Sequence, residues 1–456
     1  MSGPSALRTL GALLVGMSLV GSGALATPQE PARPADPEAS GVARNADVVP
    51  ASLARVLEHP SLRGARFGAL VVSLPGAETI VSIAPEELFA PASVNKLFTT
   101  TAALHLLGSH FAWQTPVAYL GERLDSRIAG DLWVLGRGAP DLVEEKLWVA
   151  AAAIREEGIE QVDGDLILDD RFFDDIRYGE GWPGGAQRSE AYHAPVSALM
   201  ANFAAERGRG GWQAVDDPAM HFGRRFADLL GKAGVSVRGI VRRPLPEELA
   251  QVPAPEFSGT GMGLASVPPP LTGLYAIESE PLGRVVMDVN KFSNNVMAET
   301  LIKTMGAVEY GSPGTATKGL AAAARVLSEE IGIPLNSYVQ ADGSGLSRLD
   351  RFSPAQVMSL LQHVRTDFHV GPELMASLKL SGLDGWNPAP FRQPPLRGEA
   401  RVKSGHIRGV NTLSGFIHTA SGQTLAFVAM VNDHRSQQWE IDQRMAEIVD
   451  LLIRDY

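Results

Sequence analysis

The chain has 456 residues, no cysteine and a formal net charge of −11. That length exceeds one simple core and calls for two or more domains. The acidic balance argues against nucleic acid as a partner, and the lack of cysteine excludes disulfides, thiolate zinc sites and a cysteine nucleophile.

Residues 1–26 read as an export signal: Arg8 is the only charge, Leu10 to Val20 form an apolar run, and Ala24-Leu25-Ala26 offers small residues for cleavage before Thr27. Gly11, Gly16, Gly21 and Gly23 interrupt the run, which falls short of the roughly 20 apolar residues of a spanning helix. No stable membrane span is expected after cleavage. Thr27 to Pro50, rich in Pro, Ala and acidic residues without apolar periodicity, reads as a flexible tether. Arg66 to Ser73 and Glu78 to Ile83 flank Pro75-Gly76 and predict a hairpin. Leu97 to Leu107 predicts a helix.

Residues 116–275 are mixed, with strand-like Asp131 to Leu135 and Gly164 to Leu168, and Pro253, Pro255 and Pro268-Pro269-Pro270 marking a linker. Helical patterns return over Lys291 to Met305, Lys318 to Ile331 and Pro354 to Val364. Ala400 to Lys403, Val410 to His418 and Thr424 to Val431 predict strands. In the last helix, Gln437 to Arg454, Ile441, Met445, Ile448 and Leu452 share one face and predict core packing. Its other side carries Glu440, Asp442, Glu447 and Asp450, whereas a membrane-surface helix wants Lys and Arg there.

Three short motifs carry chemistry in a fixed order: Ser93-Val94-Asn95-Lys96, Ser293-Asn294-Asn295 and Lys403-Ser404-Gly405. They match the S-x-x-K, S-x-N and K-[ST]-G set of penicillin-binding proteins and serine β-lactamases. Ser93 stands at the start of a helix, where free backbone N–H groups and the dipole favour an oxyanion. Lys96 lies one turn on, and burial would let it lose its proton and accept that of Ser93. Each motif alone has a plainer explanation: Ser93, Ser293 and Asn295 as helix caps, Lys403 as a charge on an edge strand. The conjunction carries the inference. The sequence has no H-E-x-x-H pair, G-x-S-x-G elbow or Walker-type loop to support a rival chemistry.

Beyond these motifs the chain resembles the penicillin-binding protein 4 type of D-alanyl-D-alanine carboxypeptidase/endopeptidase, peptidase family S13, from about residue 51 to the C-terminus. Asn290 to Asn295 with Ala298-Glu299, Asp342-Gly343-Ser344-Gly345-Leu346-Ser347-Arg348 followed by Ser353-Pro354, and Leu413-Ser414-Gly415-Phe416 carry the resemblance. It implies an α+β fold of the penicillin-binding-protein/serine β-lactamase kind: an antiparallel five-stranded sheet with helices on both faces, plus an all-helical part. The resemblance divides this catalytic domain into 51–115 and 276–456 around an inserted α/β domain, 116–275.

The resemblance further implies Ser93 as nucleophile, Lys96 as general base, Ser293 as proton relay and Asn295 as the residue orienting substrate. Lys403 keeps the pocket positive and, with Ser404, holds the substrate carboxylate. Gly405, His406, Ser344 and Leu346 complete the substrate site, and backbone N–H groups of Ser93 and His406 form the oxyanion hole. Implied partners are peptidoglycan stem peptides in the periplasm or outer cell wall, and β-lactams as covalent inhibitors. No cofactor or metal is needed.

Three departures stand out. His406 replaces the usual threonine, where its imidazole either reaches the carboxylate pocket or turns away. Trp386 follows Asp384-Gly385 where a threonine is usual. Asn202-Phe203 leads almost directly to Ala214-Val215, so the family's small third domain is expected to be absent or a loop. The alternatives are a β-lactamase or esterase on the same scaffold, or a weak wall-binding or β-lactam-sensing module. The Asp342 to Arg348 loop and the long insertion argue against the first. Against the second stands the intact set of Ser93, Lys96, Ser293, Asn295 and Lys403.

Overall fold

A computed structural model describes residues 47–456 apart from 75, 185–186, 188, 254–266 and 385–387. The export signal, most of the tether, Pro75, Pro255, Gly385 and Trp386 therefore lie outside the described residues.

The described residues open with helix α1 (Ala51–Leu57), strands β1 (Arg66–Leu74) and β2 (Thr79–Ile83), and helix α2 (Asn95–Leu107). It continues through β3 (Gln114–Leu124), β4 (Arg127–Leu135), α3 (Glu144–Glu156), β5 (Gln161–Val162) and β6 (Leu166–Asp169). Next come β7 (Ala205–Gly208), β8 (Gly211–Ala214), α4 (Pro218–Lys232), β9 (Ser236–Val237), β10 (Val241–Arg242), α5 (Pro246–Leu249) and β11 (Thr272–Glu278). Helices α6 (Leu282–Lys291), α7 (Asn295–Tyr310), α8 (Ala316–Glu329), α9 (Pro354–Thr366) and α10 (Gly371–Ser377) follow. The chain ends on β12 (Lys379–Leu380), β13 (Ala400–Ile407), β14 (Val410–His418), β15 (Thr424–Asn432) and α11 (Gln438–Asp455).

The first and last strands meet. β1 pairs antiparallel with β15 from Arg66↔Asn432 to Leu74↔Thr424, in a sheet of order β12-β13-β14-β15-β1-β2. Five strands were expected; the sixth is the two-residue β12 on the outer edge of β13. Strand alternation splits the apolar residues between two layers. Val71, Phe427, Ala429 and Val431 face Ile441, Met445, Ile448 and Leu452 of α11, while Val72, Ala426, Val428 and Met430 face the core shared with α2, α7 and α9.

A second sheet, order β10-β6-β4-β3-β11 with β5 and β9 beside it, is mixed: β3–β4 and β3–β11 are antiparallel, β4–β6 and β6–β10 parallel. Leu147, Ala150, Phe222 and Phe226 of α3 and α4 pack with Val117, Leu132 and Leu168, and Trp133, Ile167, Val252 and Leu271 cluster on the other face. Where the sequence predicts a bare loop between Phe203 and Val215, β7 and β8 form a short antiparallel hairpin. Among the described residues, no helix is long and apolar enough to cross a membrane.

The helix expected over Lys291 to Met305 is two helices. Ser293 takes φ +54°, incompatible with a continuous α-helix, and the Asn294 side chain caps the new one by accepting Met297 N–H at 3.0 Å. Helical periodicity alone could not show this break, because Phe292-Ser293-Asn294 contains neither Gly nor Pro.

Candidate active site

The hydroxyl of Ser93 caps nothing. It lies in the 3-10 turn Ala92–Val94, and α2 begins after Val94 without a side-chain cap. Instead Lys96 Nζ donates to Ser93 Oγ at 3.0 Å, to Asn295 Oδ1 at 2.6 Å and to the Ser344 carbonyl at 2.6 Å. The plainer explanation for Ser293 fails similarly: Asn294 caps α7, and Ser293 Oγ accepts from Lys403 Nζ at 2.9 Å. Ala92 at φ +45° and Ser293 at φ +54° are both strained non-glycine positions beside these hydroxyls. Such strain costs roughly 1–3 kcal/mol each and persists only where the surroundings enforce it.

Two glycines let the surrounding elements close on the Ser93 turn. A Cβ at Gly405 of β13 would lie 2.7 Å from Ser93 N and 2.8 Å from the Pro91 carbonyl oxygen. One at Gly345 would lie 1.9 Å from the Ala92 carbonyl oxygen. Any side chain at either place would force the Ser93 turn away. Thr412, paired with Gly405, donates its hydroxyl to the Pro91 carbonyl at 2.7 Å and fastens the same turn.

Lys96 is completely buried, and desolvation lowers its pKa from 10.5 to about 8 against the opposing pull of Asp342, Glu299 and Asp350. Burial, with Lys96 and Lys379 adding repulsion, also pushes Lys403 well below its usual value. The expected positive pocket is therefore an ammonium under pressure to lose its proton, which an arriving carboxylate would relieve. Burial and the Asp342 charge raise the Glu299 carboxyl, and the same two influences raise Asp350.

Asp342 organises the loop over Lys96. Its Oδ1 accepts from the N–H groups of Ser344 and Gly345 at 3.1 and 2.6 Å and from Asn95 Nδ2 at 3.2 Å. Its Oδ2 accepts from Ser347 N–H at 2.8 Å, Ser344 Oγ at 3.2 Å and Trp182 Nε1 at 2.7 Å. Ser344 and Leu346, expected to line the substrate site, are buried here, and Ser344 reaches the site through its carbonyl on Lys96. Trp182 and Tyr192, whose carbonyl accepts from Asn295 Nδ2 at 2.8 Å, come from the segment between β6 and β7. Sequence reasoning missed both, because nothing local marks a residue whose partner is 160 or 103 positions away.

Ser404 and His406 are not with the others. Alternation along β13 turns them to the α11 face: Ser404 pairs with Leu413 of the α11 core, and His406 Nε2 bonds Asp442 Oδ1 at 2.9 Å. This corrects the expectation that the Ser404 hydroxyl faces the carboxylate pocket. It also decides between the two placements of the His406 imidazole in favour of the one turned away. His406→Thr is accordingly expected to leave the pH profile of kcat/KM parallel to wild type over about pH 5–8. The same change should cost about 1 kcal/mol of stability through the lost Asp442 bond, read by urea unfolding.

The chain has known counterparts in sequence and in fold. The sequence profile of the D-Ala-D-Ala carboxypeptidase 3 (S13) family matches residues 49–209 and 203–452. A D-alanyl-D-alanine carboxypeptidase of Actinomadura sp. is 30% identical over 434 residues, spanning 83% of this chain and 80% of that protein. The crystal structure of penicillin-binding protein 4 from Haemophilus influenzae superposes with a TM-score of 0.74 at 21% identity, covering 88% of this chain and 98% of that one. A second structure of that protein, complexed with a β-lactam, gives a TM-score of 0.67 at 22% identity over 88% and 99% of the two chains. With a family profile matched over almost the whole described chain, this protein belongs to the D-Ala-D-Ala carboxypeptidase 3 (S13) family.

Proposed function

We propose that Ser93 is the nucleophile of a serine DD-peptidase that removes terminal D-Ala from peptidoglycan stem peptides outside the cytoplasm, and that β-lactams acylate the same residue. Membership of the family makes the chain a serine D-Ala-D-Ala peptidase; the assignment of roles to residues is our reading. One observation carries it: a lysine whose pKa burial lowers to about 8 lies 3.0 Å from a serine hydroxyl that has no capping role.

Neutral Lys96 takes the Ser93 proton as Oγ bonds to the carbonyl carbon of the penultimate D-Ala. The backbone N–H groups of Ser93 and His406 hold the tetrahedral oxyanion, with Gly405 permitting their approach. As the C–N bond breaks, the proton returns to the leaving amine through Ser293, which Lys403 positions. Water then replaces the amine, the ester is hydrolysed by the same steps in reverse order, and Ser93 regains its proton. Lys403, relieved of desolvation by the incoming carboxylate, anchors the substrate terminus. Asn295, fixed between Lys96 and the Tyr192 carbonyl, orients the peptide.

Incubation with benzylpenicillin should add one acyl group per chain, and peptide mapping should place it on Ser93. An adduct mapped to any other residue refutes the assignment, as does failure to release D-Ala from a D-Ala-D-Ala pentapeptide.

A further inference from the structure

We propose that His105, His363 and Asp367 form a binding site for one divalent transition-metal ion of the zinc class, clamping α2 to α9. His105 lies nine positions beyond Lys96 on α2, about 13 Å along the helix, so this site is distinct from the peptidase centre.

The three donor atoms come together in one small cluster. His105 Nε2 and His363 Nε2 are 3.0 Å apart, His363 Nε2 and Asp367 Oδ2 are 3.5 Å apart, and all three donors lie within 4.8 Å of one another. Two ligands about 2.0–2.1 Å from a tetrahedral ion stand about 3.3 Å apart, between the two measured separations. Both facing ring atoms are Nε2, and the ring planes are tilted by 40° to each other.

The surroundings favour a cation. His105 is in the last turn of α2 and His363 in the last turn of α9, so both helix dipoles present their negative ends. His363 and Asp367 are spaced i,i+4, which puts both on one side of the end of α9. The second oxygen of Asp367 accepts the N–H groups of His369 and Val370 at 2.7 Å each and leaves Oδ2 oriented. The ligands join two helices 258 positions apart in sequence, so an ion here would stabilise the packing of the helix that carries Lys96.

The test uses the full chain, without an affinity tag and stripped of metal, titrated with Zn²⁺ by calorimetry at neutral pH. One ion per chain is expected. His105→Asn and His363→Asn should each weaken binding at least about tenfold, the lower limit of what even outer-shell changes cost. Penicillin acylation should persist in both. On the wild-type chain, Zn²⁺ should also protect His105 and His363 from carbethoxylation, read by peptide mass, a result that depends on no variant folding. Absence of binding, unchanged affinity in both variants, or modification of both histidines at saturating Zn²⁺ would overturn the proposal and leave only a hydrogen bond between two imidazoles.

Discussion

Lys96→Arg is expected to slow penicillin acylation of Ser93 by about 10²- to 10⁴-fold, the range that a positioned general base contributes. Arginine keeps the charge but cannot surrender it. With a pKa of about 8, roughly a tenth of Lys96 is neutral at pH 7, against about one part in 3,000 at the ordinary 10.5. Burial would thus supply the proposed base at the cost of stability. The folded chain binds this proton more weakly than the unfolded chain, so stability is depressed at pH values below about 8 and recovers between about 8 and 10.5. Two measurements check the argument. The acylation rate of wild type should climb with pH and level off near 8. In urea unfolding, the stability of wild type relative to Lys96→Met should improve by about 3 kcal/mol between pH 8 and 10.5. Near-normal acylation by Lys96→Arg would remove Lys96 from the mechanism.

What the sequence revealed and what it hid follow from the range of the forces involved. β14 was legible to the residue and α11 to within one: β14 is a short run buried on both faces, and the apolar stripe of α11 repeats at helical period. The positions of Ser93, Lys96, Ser293, Asn295 and Lys403 were legible as motifs, and the structure brings all five together. The break between α6 and α7 was not, since Ser293 is forced to φ +54° by tertiary contacts. Among them, buried Asn290 at the end of α6 donates to Thr100 Oγ1 at 3.1 Å and Ser377 Oγ at 2.9 Å. Ser404 was misplaced, and the side chain of His406 left open, for a simpler reason. A three-letter motif on a strand says nothing about which face each letter takes, and alternation sends Lys403 and Gly405 one way and their neighbours the other. Trp182 and Tyr192 show the remaining limit: a side chain or carbonyl delivered across more than 100 residues leaves no local trace.

Asp342→Ala is expected to be the most damaging change away from the reacting atoms. Six donors converge on this carboxylate, and the residue is 1% exposed, so water cannot fully replace it. Removing one partner of a buried charged network costs about 3–5 kcal/mol, because the groups left behind stay desolvated and unpaired. The catalytic loss has a separate origin. Asp342 holds the N–H groups of Ser344, Gly345 and Ser347, which set the Ser344 carbonyl on Lys96, and its own carbonyl and carboxylate anchor Asn95 Nδ2 at 2.8 and 3.2 Å beside the Ser93 turn. A shift of about 1 Å in Lys96 would lower acylation roughly 10²-fold. Lys96 also loses the first of the charges that oppose its desolvation, so its pKa should fall further and the acylation profile should reach its plateau at lower pH. Thermal unfolding and the pH dependence of acylation, measured on the same preparation, distinguish these effects. A lower melting temperature with an unchanged rate and pH profile would show that Asp342 supports the fold alone. The expected result is that all three change together.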